Sequence, residues 1–161
     1  VCSSDLFINT YMRLFELFDK PYQFTKYASG ANKLAYAFES TYTKDGQEAK
    51  DIVQAECHRV KDTNNWHFGF HIGKSGQATG NFDAIRIFAT LLEVLKDFLN
   101  SPHTRTLENL YFGAELGTGP NAMSRIKLYD RFAKKMPSVG LEYQGDGGIQ
   151  DGKKYYHFIK P

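Results

Sequence analysis

The sequence predicts an α/β protein: a single domain built on a mixed, mostly antiparallel sheet with two principal helices. Three observations lead to that class. Several stretches alternate apolar and polar residues with a period of two, the mark of a half-buried strand. Two longer stretches repeat their apolar residues every three and four positions, the mark of an amphipathic helix. The first of those helices lies between two strands, and a strand–helix–strand crossover requires two parallel strands in an otherwise antiparallel sheet.

The elements follow in order. Residues 1–6, Val-Cys-Ser-Ser-Asp-Leu, resemble the translated end of a common short-read sequencing adapter. On that reading residues 1–11 are a non-native leader of environmental DNA origin, and the domain is 12–161, starting at Met12. The competing reading is an amphipathic helix through Phe7, Tyr11, Leu14, Phe15 and Phe18, ended before Pro21. A short aromatic strand, Tyr22 to Ala28, comes next. Lys33 to Tyr42 places Leu34, Tyr36, Phe38 and Tyr42 on one face. The pair Asp45-Gly46 signals a hairpin, and Asp51 to Val60 returns. In the strand from Trp66, the residues Trp66, Phe68, Phe70 and Ile72 alternate with His67, Gly69 and His71. A glycine loop, Gly73 to Asn81, leads into a helix with Ile85, Phe88, Leu92, Leu95 and Leu99 on one stripe and Ala84, Leu91 and Phe98 beside it. Ser101-Pro102 breaks the chain, Thr106 to Glu115 resumes as a strand, and Gly117 to Pro120 precedes a second helix capped by Asn121 or Ser124. Its apolar stripe is Met123, Ile126, Tyr129, Phe132 and Ala133. Two last strands, Gly140 to Tyr143 and Lys154 to Ile159, are joined by a glycine-rich turn, Gly145 to Gly152.

Bulk properties narrow the function. A chain of 161 residues with 42% hydrophobic and 24% charged residues buries a sizeable core and is not disordered. A net charge of +2 gives no ground for wholesale binding to nucleic acid or to an anionic membrane. No apolar run approaches the roughly 18 residues that span a bilayer, and no signal-peptide pattern is present. Cys2 and Cys57 form no motif, so a reduced, cytoplasmic setting is expected.

The chemistry-bearing stretches are few. Gln77-Ala78-Thr79-Gly80-Asn81-Phe82 sits between a strand and a helix, where backbone amides and a helix N-terminus suit a phosphate. The second block is Ser124-Arg125-Ile126-Lys127-Leu128-Tyr129, followed by Val139 to Tyr143. Together with the element order, these blocks resemble the GNAT superfamily of acyl-CoA-dependent N-acetyltransferases. In that family a loop of pattern Gln/Arg-x-x-Gly-x-Gly/Ala wraps the coenzyme A pyrophosphate. Gln77 and Gly80 match it, and Phe82 stands where the pattern has a small residue. The resemblance implies acetyl-CoA as cosubstrate, residues 77–82 as its cradle and an amine of unknown identity as acceptor. It further implies a thioester in the gap between the Trp66 and Leu107 strands. Tyr129 takes the place of the family's tyrosine that protonates the departing thiolate, a reasonable role for a phenol.

A general base is sought near the acceptor strand, among Glu56, His58, His67 and His71; histidine has the suitable unperturbed pKa. No two-histidine helix motif is present, so no metal is expected. Arg125, Lys127, Arg131, Lys134 and Lys135 read as the solvated face of the second helix. The Thr-Gly loop and the Ser-Arg-x-x-Leu-Tyr helix also resemble small proteins of tailed bacteriophages. The alternative function is therefore a non-catalytic phage protein that keeps the scaffold and binds a host or virion protein inside an infected bacterium.

Overall fold

A computed structural model describes residues 20–73, 84–115 and 122–161, without the side chains of Lys44, residues 122–125 and Asp146. The expected leader and N-terminal helix, residues 77–82 and the Gly117–Pro120 loop lie outside the described residues. The elements are β1 (Phe24–Ser29), β2 (Lys33–Lys44), β3 (Gln47–Arg59), β4 (Asn65–Ile72), α1 (Ala84–Asn100), β5 (Asn109–Glu115), α2 (Ala122–Lys135), β6 (Glu142–Gln150) and β7 (Lys153–Ile159).

Among the described residues the strands form one seven-stranded sheet in the order β1-β2-β3-β4-β5-β7-β6. β4 and β5 run parallel across the α1 crossover; every other neighbouring pair is antiparallel. The mixed sheet with two helices is the predicted class.

The Asp-Gly signals decide both long hairpins. Asp45 and Gly46 take φ of 53° and 74°, which suits the right-handed twist of the flanking strands. The β2–β3 ladder then runs unbroken from Lys44↔Gln47 to Lys33↔His58. Asp151-Gly152 makes the same turn, with φ of 53° and 73°. This corrects the expected turn at Gly145 to Gly152: the glycine-rich stretch is itself strand, and β6 reaches Gln150. Its register shifts between Tyr143 and Gly145 and again between Asp146 and Ile149. Gly145 (φ 124°) and Gly148 (φ 80°) absorb those bulges.

Period-two alternation puts one face of every central strand into a single core, and both helices cover that face. The Trp66 ring meets Phe98 of α1 edge-on at 5.2 Å, while Phe68 lies 6.4 Å from Phe132 of α2. Phe88 and Phe132 join the two helices at 5.0 Å. The buried stripe of α1 is rotated from the expected one. Ile87, Leu91, Val94, Leu95 and Phe98 are fully buried, whereas Leu92 and Leu99 are only partly so. The reason is α2: Ile85 and Leu92 face the groove between the helices, where Leu128 and Phe132 also lie.

Local bonds fasten α1 at both ends. The backbone N–H of Tyr22 donates to Thr90 Oγ1 at 2.8 Å, and the Arg86 guanidinium sits 4.0 Å from the Tyr22 ring centroid. After the Ser101-Pro102 break, Thr104 Oγ1 donates to the Phe98 carbonyl at 2.8 Å, and the Ser101 N–H donates to the same carbonyl at 3.2 Å, so this helix-end acceptor is satisfied.

One polar tie crosses from sheet to helix. The buried Tyr36 hydroxyl donates to Asp97 Oδ2 at 2.7 Å, and Lys26 Nζ lies 2.7 Å from the same oxygen. Burial alone raises the Asp97 pKa, but the hydrogen bonds from Lys26 and Tyr36 outweigh it and hold the carboxyl below its ordinary value. A depressed carboxylate stabilises the fold above its unfolded pKa, and that contribution disappears as pH falls through the folded value. Tyr36→Phe is expected to cost about 1–2 kcal/mol at neutral pH, discounted because Asp97 is partly solvated. Urea melts of both proteins should show the gap narrowing once the carboxyl is protonated.

Candidate active site: a split between two parallel strands

The parallel β4–β5 ladder covers four positions, from Asn65↔Asn109 to Phe68↔Phe112. Both strands then continue apart. β4 stays paired with β3 through Gln54↔His71 and Val53↔Ile72. β5 stays paired with β7 through Gly113↔Tyr155, Ala114↔Lys154 and Glu115↔Lys153. The sheet thus divides into two wings with a wedge between them. The first residue past the split is a glycine on each arm, Gly69 and Gly113. Cross-strand side-chain pairs stabilise a ladder, and two glycines supply none. Beneath the split, Phe70 has no ladder partner on β5 among the described residues, and its ring stacks back on Phe112, the last paired residue, at 6.1 Å.

Tyr129 lies on the helix-covered side of this wedge. Its ring centroid is 6.5 Å from Phe70 on one arm and 5.7 Å from Phe112 at the end of the ladder, with Phe88 of α1 also at 5.7 Å. The side chain is 8% exposed. The next residue, Asp130, locks this part of α2 to the sheet: it accepts from the Tyr156 hydroxyl at 2.6 Å and from Lys154 Nζ at 2.9 Å. Burial raises the Asp130 pKa, but those two donors overcome it and keep the group ionised below the usual carboxylate range.

The base candidates lie on the other face of the sheet, which no described helix covers. His67 and His71 are exposed and flank Gly69 along β4, and Glu56 stands directly opposite Gly69 on β3. Among the described residues, a Cβ built on Gly69 would meet no atom within 4 Å, and the three residues surround open space. Glu56 is engaged: Oε2 is 3.0 Å from His58 Nε2, and Oε1 is 3.5 Å from Lys33 Nζ and from the Tyr27 hydroxyl. The His58 hydrogen bond, more than any other influence, holds the Glu56 pKa below its ordinary value. That makes Glu56 a weaker proton acceptor than a free carboxylate. His67 stacks on Tyr111 at 5.4 Å. His71 is the candidate carried by the separated arm itself.

The structure therefore gathers Glu56, His58, His67 and His71 on one face and sets Tyr129 on the other, with the wedge between them. The cradle residues Gln77, Ala78, Thr79, Gly80, Asn81 and Phe82 lie outside the described residues. Among the described residues no group of three or more His, Cys, Asp or Glu could hold a metal ion, and no helix is long and apolar enough to cross a membrane. Sequence reasoning missed Gly113, Tyr111 and Asp130. A glycine inside a strand pattern is a signal in principle, since it marks a close approach or a break in pairing; Asp130 gave none, because its partners come from β7.

No family model matches the chain, and no curated protein matches it. Three similar solved structures superpose loosely. One is the diaminobutyrate acetyltransferase EctA from Paenibacillus lautus, in complex with L-2,4-diaminobutyric acid and coenzyme A. It is 11% identical, with 81% of this chain and 70% of that one covered and a TM-score of 0.36. A Bacillus subtilis acetyltransferase in complex with coenzyme A is 12% identical, over 81% and 78% of the two chains, at a TM-score of 0.35. The aminoglycoside N-acetyltransferase AAC(6')-Ib11 is 14% identical, over 81% and 67%, at 0.36.

Proposed function

We infer that this chain is an acyl-CoA-dependent N-acyltransferase acting on an amine. The observation that carries the reading is the wedge: a parallel ladder that ends after four pairs while both strands continue. Past the split, each arm has a ladder partner only on its outer side among the described residues. The inner backbone edges thus offer amide donors and acceptors, and such groups seek partners. The pantetheine arm of coenzyme A carries amides that suit them, and its slender chain fits between two glycines. The coenzyme would supply an activated thioester at the depth of the split.

The residues divide the work by face. On the helix side, the Tyr129 hydroxyl donates a proton to the departing thiolate, and the Asp130 contacts to Tyr156 and Lys154 hold that turn of α2 in place. On the uncovered side, the amine approaches over Gly69, and His71 accepts its proton on the arm nearest the split. His67 and Glu56 shape this approach, Glu56 chiefly by orienting His58 and Lys33. The pyrophosphate belongs to residues 77–82, ahead of the α1 N-terminus. Tyr129→Phe separates these roles: it removes one proton donor, so turnover falls while coenzyme binding remains.

A further inference from the structure

One transverse row of the uncovered face carries rings on three neighbouring strands. The register sets His67 of β4 beside Tyr111 of β5, and Tyr111 beside His157 of β7. The rings stack in that order, with centroids 5.4 Å and then 4.7 Å apart and planes inclined by 28° and 11°. The next position in the row, on β6, is Gly145. It offers no ring, and a Cβ built on it meets no atom of the described residues within 4 Å. Among the described residues the stack therefore stops at His157, with open space beside its outer face.

A cavity of about 310 Å³ lies at this place, bounded by the ring row, Tyr155, Gln144 and Gln150. That volume is at the small end of the range for ligand pockets, about 300–1,000 Å³. The walls are fixed before any ligand arrives. His157 Nε2 lies 2.7 Å from Asn109 Oδ1, and Asn109 Nδ2 donates to Asn65 Oδ1 at 2.9 Å. An amide oxygen only accepts, so Nε2 carries the proton and the ring plane is set. Opposite, the Tyr155 ring lies over Gly113, its nearest carbon 3.1 Å from where a Cβ would stand. Preorganised walls spare a ligand the cost of ordering them. Among the described side chains that line the cavity none carries a fixed charge, and each glutamine amide can both donate and accept.

We propose that this cavity binds a small, uncharged, planar heteroaromatic group, stacked on His157 above Gly145 as the fourth ring of the row, with its polar edge held by Gln144 and Gln150. The cavity adjoins the split through His67 and Tyr111. Within the acyl-transfer reading it seats the ring of the acceptor; that assignment rests on the reading, whereas the binding itself does not.

The test uses nicotinamide as the probe and cyclohexanecarboxamide, the same amide on a non-planar ring, as the comparator. Each is titrated into isotope-labelled protein, without coenzyme, while the histidine and tyrosine ring resonances are followed. Nicotinamide is expected to move the His157 and Tyr111 signals saturably through its ring current, and cyclohexanecarboxamide to leave them in place. His157→Leu keeps bulk but loses the π face, and should weaken binding about tenfold. Should that variant not fold, Gln150→Ala at an exposed position is expected to weaken binding severalfold. Unmoved resonances at millimolar nicotinamide, an equal response to both amides, or unaltered affinity in the folded variants would overturn the proposal. Because coenzyme is absent from the sample, failure of the acyl-transfer reading leaves this result standing, and the reverse holds too.

Discussion

Tyr129→Phe is expected to lower turnover about a hundredfold or more, the usual share of a positioned general acid. The coenzyme-induced rise in melting temperature should persist. The Tyr129 ring is packed on Phe70, Phe88 and Phe112, so the phenylalanine variant keeps its contacts and its place in the core. What it loses is the phenol hydroxyl, the proposed proton donor. A structural role alone would appear as lost stability with proportionate loss of both binding and turnover. A steady-state assay of thiol release, with a thermal melt of the same preparation, separates the cases. Full turnover in the variant would remove Tyr129 from the mechanism.

The second large effect is on stability. Phe112 closes the parallel ladder and is 1% exposed. Its ring centroid lies 5.6 Å from Phe68, 6.1 Å from Phe70, 5.7 Å from Tyr129, 5.6 Å from Phe132 and 6.0 Å from Tyr156. Removing it opens a cavity that rings on two strands and α2 cannot refill without leaving their rotamers. Phe112→Ala is expected to cost about 3–5 kcal/mol, a fall in melting temperature on the order of 10 °C for a chain of this size. Urea melts give the free energy directly. A loss under about 1 kcal/mol would mean that these rings do not form one packed unit beneath the split.

Much of this architecture is legible from local pattern. Alternation in the β4 segment sorted Trp66, Phe68 and Ile72 from His67 and His71 correctly, because the two faces differ so sharply in polarity. The Asp45-Gly46 turn was readable because only residues tolerant of positive φ close a two-residue hairpin. The same pair at Asp151-Gly152 went unread, since the neighbouring glycines made the whole stretch look like turn. Those glycines instead carry bulges, which depend on pairing with β7. The stripe of α1 was misjudged by rotation because its second partner, α2, is distant in sequence. The split itself depends on where a ladder between β4 and β5 stops, and no local pattern encodes that. Tyr129 could be named from sequence, but its position opposite the histidines follows only from sheet and helix packing. The ring row His67–Tyr111–His157 is likewise a product of register across three strands.

Coenzyme A is expected to bind in the wedge between β4 and β5. Thermal melts of the purified protein with and without acetyl-CoA test it most directly. A ligand present at a hundredfold its dissociation constant adds about 2.7 kcal/mol, a rise of several degrees for a domain of this size. That rise is expected, saturating with acetyl-CoA concentration. A cooperative melt that does not move at millimolar acetyl-CoA would contradict it.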